Sequence, residues 1–150
     1  MQRSILALSI FFSVFFANPL LAAPNLQPLI GKTVPLQALH GKWVFINYWA
    51  NWCHPCLEEI PALNAFYKKN KNKVALYALH WDPLPPADLA ALVHQYGLTY
   101  PSLKTDPGPA LGIEELQGVP ATIVLTPQGK LKTILYGAQT LASLEEELSS

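Results

Sequence analysis

The sequence predicts an α/β fold in which a central mixed β-sheet is flanked by helices, and three observations carry that prediction. Trp43-Val44-Phe45-Ile46-Asn47-Tyr48-Trp49 is β-branched and aromatic and apolar on both faces, the pattern of a strand buried in the middle of a sheet. A helical pattern follows it, and then a second apolar run over Lys73–Trp81, so the three form a strand–helix–strand unit with a parallel crossover. Further on, Ala121–Leu125 and Leu131–Tyr136 flank the turn signal Pro127-Gln128-Gly129-Lys130, which reads as an antiparallel hairpin. Parallel and antiparallel pairings in one chain make the sheet mixed.

The helices follow from spacing and punctuation. Between the first two strands, Leu57, Ile60, Leu63 and Tyr67 recur at three to four residues and predict a helix over 56–67, with a kink at Pro61. Lys68, Lys69, Lys71 and Lys73 cluster at its end, where cations complement the helix dipole. A second helix is expected from Pro86 to Gly97. The prolines open it, Leu89, Leu92, Val93 and Tyr96 form its stripe, and the glycine ends it. A short extended piece near 101–104 and a short helix near 110–116 precede Gly118-Val119-Pro120, which introduces the strand at Ala121. The last helix is expected over 141–148, with Thr140 or Ser143 as its cap.

Composition narrows the possibilities. The chain has 150 residues and no net formal charge, and it shows no basic stripe, so a nucleic-acid partner is not expected. Residues 1–22 read as a signal peptide. Arg3 precedes the apolar run Ile5–Ala17, Asn18-Pro19 breaks it, and small residues around Ala22 offer a cleavage site. An uncleaved anchor is the alternative, and membrane contact is expected only in that case. Either reading places the remainder, 23–150, outside the cytoplasm, in the periplasm, where disulfides persist. That remainder is large enough for one domain with its own core.

The chain has two cysteines, Cys53 and Cys56, and they lie three residues apart in Trp52-Cys53-His54-Pro55-Cys56. A pair this close can form a disulfide, but the loop it closes is too small to add much chain-entropy stabilisation. A bridge that staples poorly and opens easily points to chemistry. The cysteine-rich zinc frameworks need more thiols than the chain has. No metal site is expected from His40, His80 or His94, which are scattered. At the junction of strand and helix, Cys53 meets unpaired N–H groups and the positive end of the helix dipole, both of which favour a thiolate. His54, when protonated, acts in the same direction, although it also reads as an exposed spacer. Cys53 is therefore expected to be the exposed, acidified nucleophile, and Cys56, one turn deeper, the resolving thiol.

These residues carry a resemblance. The run from Asn47 to Cys56, then Glu58-Glu59-Ile60-Pro61-Ala62-Leu63, Tyr100-Pro101, Gly118-Val119-Pro120-Ala121-Thr122 and Pro127-Gln128-Gly129-Lys130 together resemble the thioredoxin superfamily, in particular its exported TlpA/ResA/CcmG-like branch. The similarity spans roughly 36–148. It implies a thioredoxin-like fold, thiol-disulfide oxidoreductase activity and no cofactor beyond a redox-active disulfide. It also implies a cis peptide bond at Pro120, with Val119 and Pro120 receiving the substrate chain and Trp52 as a flanking apolar platform. Trp49 is expected in the core, and Trp81 fits either a strand end or the edge of the site. The implied partners are cysteine-containing protein substrates and a membrane thiol-disulfide electron relay, with cytochrome c maturation as one setting. Disulfide reduction is the expected direction, disulfide oxidation the alternative, and a copper-binding module of the same fold a third reading.

One departure stands out. Asn47 occupies the position where many thioredoxins carry a buried aspartate, and an amide is no base, so the Cys56 proton needs water or another acid. Asp82, at the end of the next strand, is the expected candidate, though Asp82-Pro83 also fits a turn. Glu58 and Glu59 are expected to support the helix start or face solvent.

Overall fold

The computed structural model of the chain describes residues 24–149, so the leader segment read at 1–22 lies outside the described residues. A two-residue ribbon comes first, β1 (Asn25–Leu26) antiparallel to β2 (Val34–Pro35), followed by a 3-10 turn over Leu36–Leu39. Then come β3 (Trp43–Trp49), α1 (His54–Asn70), β4 (Val74–His80), α2 (Pro86–Gln95), β5 (Ser102–Leu103), β6 (Ala121–Leu125), β7 (Leu131–Tyr136) and α3 (Leu141–Glu146). The five longer-range strands form one sheet in the order β5-β4-β3-β6-β7. β3 is central, parallel to β4 and antiparallel to β6, and β6 and β7 form the expected hairpin. The fold class read from the sequence is the one observed.

All seven residues of β3 are buried, which is why that run is apolar on both faces. Alternation divides it between two cores. Phe45 and Trp49 point with Leu63 and Phe66 of α1 and Leu144 of α3 into one layer, against which Leu92 and Val93 of α2 and Tyr96 at its C-cap also pack. Ile46 and Tyr48 point into the other, with Leu79, Leu103 and Ile123, and there Leu26, Leu36 and Ile113 supply the cover. Asn47 faces the α1 side.

Several elements differ in detail from expectation. α1 begins at His54, two residues early, because Cys53 already acts as its N-cap. The helix continues through Pro61 to Asn70, so the missing N–H interrupts the ladder without ending the element. The helix expected over 110–116 is only a 3-10 turn at Pro109–Leu111, stopped by Gly112 at φ +75°. β1 and β2 escaped notice because two residues are too few to show a period. Thr140 caps α3, and Ser143 answers it in a reciprocal capping box.

Phe66 is fully buried and meets Phe45 edge-on at 4.9 Å. Replacing it with Ala should lower stability by about 3–5 kcal/mol in urea denaturation. A loss below about 1 kcal/mol would contradict its place between sheet and helix.

Candidate active site

The reactive end of the molecule is the junction between β3 and α1. Cys53 and Cys56 are joined in a disulfide with their Cα atoms 5.3 Å apart. Cys53 Sγ accepts a hydrogen bond from Cys56 N at 3.3 Å, so the sulfur itself caps the helix. In the reduced protein the same donor and the helix dipole would face a thiolate. Cys53 is less open than the sequence suggested, at 6% relative exposure, but Cys56 is fully buried and the order of accessibility holds. Pro55 sits within the first helical turn, where its missing N–H costs nothing.

One turn beyond Cys56 on the buried face of α1 lies a carboxyl, that of Glu59. This residue, expected near solvent, is only 2% exposed. Its Oε1 accepts from Asn47 Nδ2 at 2.7 Å and its Oε2 from Gln139 N at 2.8 Å, while Asn47 Nδ2 also donates to Thr122 Oγ1 at 3.1 Å. Burial raises the Glu59 pKa from 4.5 to about 7, and the two hydrogen bonds only partly oppose the rise. The correction has a plain cause. With α1 in register, Cys56, Glu59, Ile60, Leu63 and Phe66 share one buried stripe, and Glu59 lies one turn beyond Cys56 on it. The spacing i, i+3, i+4, i+7 is present in the sequence, but a glutamate within it does not mark itself as buried the way its apolar neighbours do. Asn47 thus keeps a polar role: its amide serves a carboxyl that comes from the helix.

Asp82 is placed elsewhere. Its Oδ2 accepts from Trp52 Nε1 at 2.8 Å, which orients an indole that is 62% exposed. Beside it His80, which the sequence did not single out, is buried against the edge of Trp49. Its Nε2 lies 3.2 Å from Asn51 Oδ1 and its Nδ1 lies 2.9 Å from the Asp82 carbonyl oxygen. Together with Trp81 N donating to Trp49 O at 2.7 Å, these contacts tie the loop before Cys53 to the end of β4. Trp49 is core, as expected, whereas Trp81 is partly exposed.

His54 points along α1 to Glu58 at 3.2 Å, with both side chains well exposed, so this contact contributes little stability. The Val119–Pro120 peptide bond is cis. Pro120 is buried and its carbonyl accepts from Gly137 N at 2.9 Å, while no backbone hydrogen bond among the described residues outside the helices and strands engages Val119. No group of three or more His, Cys, Asp or Glu side chains among the described residues is arranged to hold a metal ion.

Comparison with known proteins agrees with the fold and with the paired cysteines. The AhpC/TSA family model matches residues 19–134. Thiol-disulfide oxidoreductase ResA of Bacillus thuringiensis (strain Al Hakam) is 36% identical over 128 residues, covering 82% of this chain and 72% of that protein. The chain belongs to this family of thioredoxin-like thiol-disulfide oxidoreductases. Thioredoxin-like protein YneN of Bacillus subtilis (strain 168) is 30% identical over 126 residues, covering 83% of this chain and 74% of its own. Among solved structures, a DsbF homologue from Corynebacterium diphtheriae superposes with a TM-score of 0.72 at 24% identity, over 85% of this chain and 83% of the other. Family membership makes the chain an enzyme acting on cysteine-containing protein substrates.

The raised pKa of Glu59 has a measurable consequence. The folded protein holds this proton more tightly than the unfolded chain, so stability falls as pH rises from about 4.5 to about 7. The slope from this one group reaches about 1.4 kcal/mol per pH unit. In Glu59→Gln that component should vanish, leaving a flatter stability–pH curve in urea titrations across the interval. An unchanged slope would show that Glu59 titrates normally.

Proposed function

We propose that this chain is an exported, periplasmic reductase of protein disulfides, with Cys53 as nucleophile, Cys56 as resolving thiol and Glu59 as the proton acceptor for Cys56. The observation that carries the reading is the burial of Cys56 and Glu59 on one stripe of α1, one turn behind a sulfur that caps the helix. In the reduced enzyme the Cys53 thiolate attacks one sulfur of the substrate disulfide. The S–S bond breaks and the first substrate thiolate leaves. Cys56 then yields its proton toward Glu59 and attacks Cys53 Sγ, which closes the enzyme disulfide and releases the second substrate thiolate. Two electrons pass to the substrate, and a membrane thiol-disulfide relay returns them to the enzyme.

The pKa of Glu59, near 7, suits it to take a proton at neutral pH and give it up again. Asp82 acts instead through Trp52, holding the indole as an apolar platform beside Cys53. The Val119 backbone, with Pro120 fixing its direction, receives the extended substrate chain by strand addition. His54, well exposed and paired with Glu58, tunes the Cys53 sulfur from outside. The leader read at 1–22 supports export. Apocytochrome c, whose cysteines must be reduced for haem attachment, is the substrate the resemblance favours.

Two measurements test this reading. A Cys56→Ala variant should hold partners as mixed disulfides on Cys53, identified by mass spectrometry, and Cys53→Ala should capture none. Equilibration with glutathione should place the potential near about −270 mV, and a value near about −120 mV would make the enzyme an oxidase.

A further inference from the structure

The sheet face opposite α1 carries a cleft that the chemistry above does not use. It opens at the carboxyl ends of the parallel strands β3, β4 and β5 and has a volume of about 360 Å³. That is the end of an α/β sheet where ligands commonly lodge. Leu79, Leu89, Leu103, Ile113 and Leu116 line it with apolar surface, and Trp81 forms part of its wall. Its roof is the segment after β5, held by a latch. Asp106 Oδ1 accepts from Tyr48 Oη at 2.6 Å and from Gly108 N at 2.7 Å. A Cβ at Gly108 would lie 3.0 Å from both Asp106 Oδ1 and Tyr48 Oη, so the latch closes this tightly only over glycine.

The charge around the cleft is one-sided. Asp82, Asp106, Glu114 and Glu115 border it, against Lys104 and the buried His80. Among the described residues the ion pairs involve other carboxylates, and the donors on Asp82 and Asp106 are neutral, so four carboxylates stand against the single lysine of the border. The cleft is also coupled to the reactive end. Asp82 lines it and at the same time holds the Trp52 indole, the side chain next to Cys53.

We infer that this cleft is a specificity subsite for the protein substrate, taking a bulky apolar side chain with a neighbouring Lys or Arg from the chain attached at Cys53. The inference rests on the oxidoreductase reading above. A volume of this size lies at the low end for small-ligand sites and suits a side chain rather than a large cofactor. The apolar lining supplies burial, and the acidic border selects the flanking cation and disfavours acidic sequences. Trp52 and Trp81 give the substrate chain apolar surface near the cysteines and at the cleft.

The test uses the full-length enzyme with dithiothreitol as reductant. Its substrates are disulfide-linked peptide dimers carrying either Phe-Lys or Ala-Glu at stepped distances from the cysteine, with oxidised glutathione beside them. At the best spacing, Phe-Lys should exceed Ala-Glu by at least about tenfold in kcat/KM, mainly through KM. The preference should collapse in Leu116→Trp, which fills the cleft, and shrink in the double variant Glu114→Lys/Glu115→Lys. The double variant alters exposed residues, so it keeps the test open if Leu116→Trp fails to fold. Equal kcat/KM for both peptides at every spacing, with glutathione disulfide still turned over, overturns the subsite and leaves the oxidoreductase reading standing. A preference that survives in both variants also overturns it. Failure to reduce any disulfide overturns the oxidoreductase reading instead.

Discussion

A carboxyl group removed from water must hold a proton or find donors, and Glu59 does some of each. Its two oxygens take donors from β3, through Asn47, and from the chain before α3, through Gln139 N. Asn47 in turn bonds Thr122 of β6. One buried side chain therefore links helix, sheet and the return segment beneath the cysteines, and the balance between desolvation and these bonds leaves its pKa near neutrality. A fully satisfied carboxylate would be too weak a base to matter, and one without donors would stay protonated. The arrangement lies between those limits.

Much of this was legible in the residues, for reasons that differ by element. β3 announced itself because a strand covered on both faces has no polar side to disguise it, and Cys53 could be placed at a helix start from that strand alone. The cis bond at Pro120 was implied by resemblance and is present. Glu59 is not legible as a buried group because a charged side chain reads as exposed, although its phase with Cys56, Ile60 and Leu63 puts it inside. Asp82 stands out as an acid at the end of the next strand, yet whether its carboxylate meets a thiol or an indole depends on the parallel register of β3 and β4, which sets the end of β4 beside Asn51 and Trp52. Tertiary pairings of that kind leave no local mark. The latch of Tyr48 on Asp106, 58 positions apart, left none either.

The two faces of the sheet divide the work at its carboxyl end. On the α1 face, alternation along β3 directs Asn47 and Trp49 toward the buried stripe that holds Cys56 and Glu59, where a proton can be stored out of water. On the other face, Tyr48 and Leu79 line an open, acid-bordered cleft suited to recognition. The Trp52–Asp82 bond joins the two faces, so under the proposed function a substrate at Cys53 would lie between the buried carboxyl of Glu59 and the cleft. On that proposal reactivity and selectivity would vary separately, because the residues concerned point to opposite sides of the same strands.

The central claim is that the carboxyl beneath the cysteines titrates near neutrality. Carbon-13 labelling of glutamate side chains and an NMR pH titration of the oxidised protein, with the Glu59 signal assigned by its loss in Glu59→Gln, measure this directly. The account predicts a midpoint near 7 for that signal, well above the other glutamates. A midpoint near 4.5, the ordinary value, would contradict it.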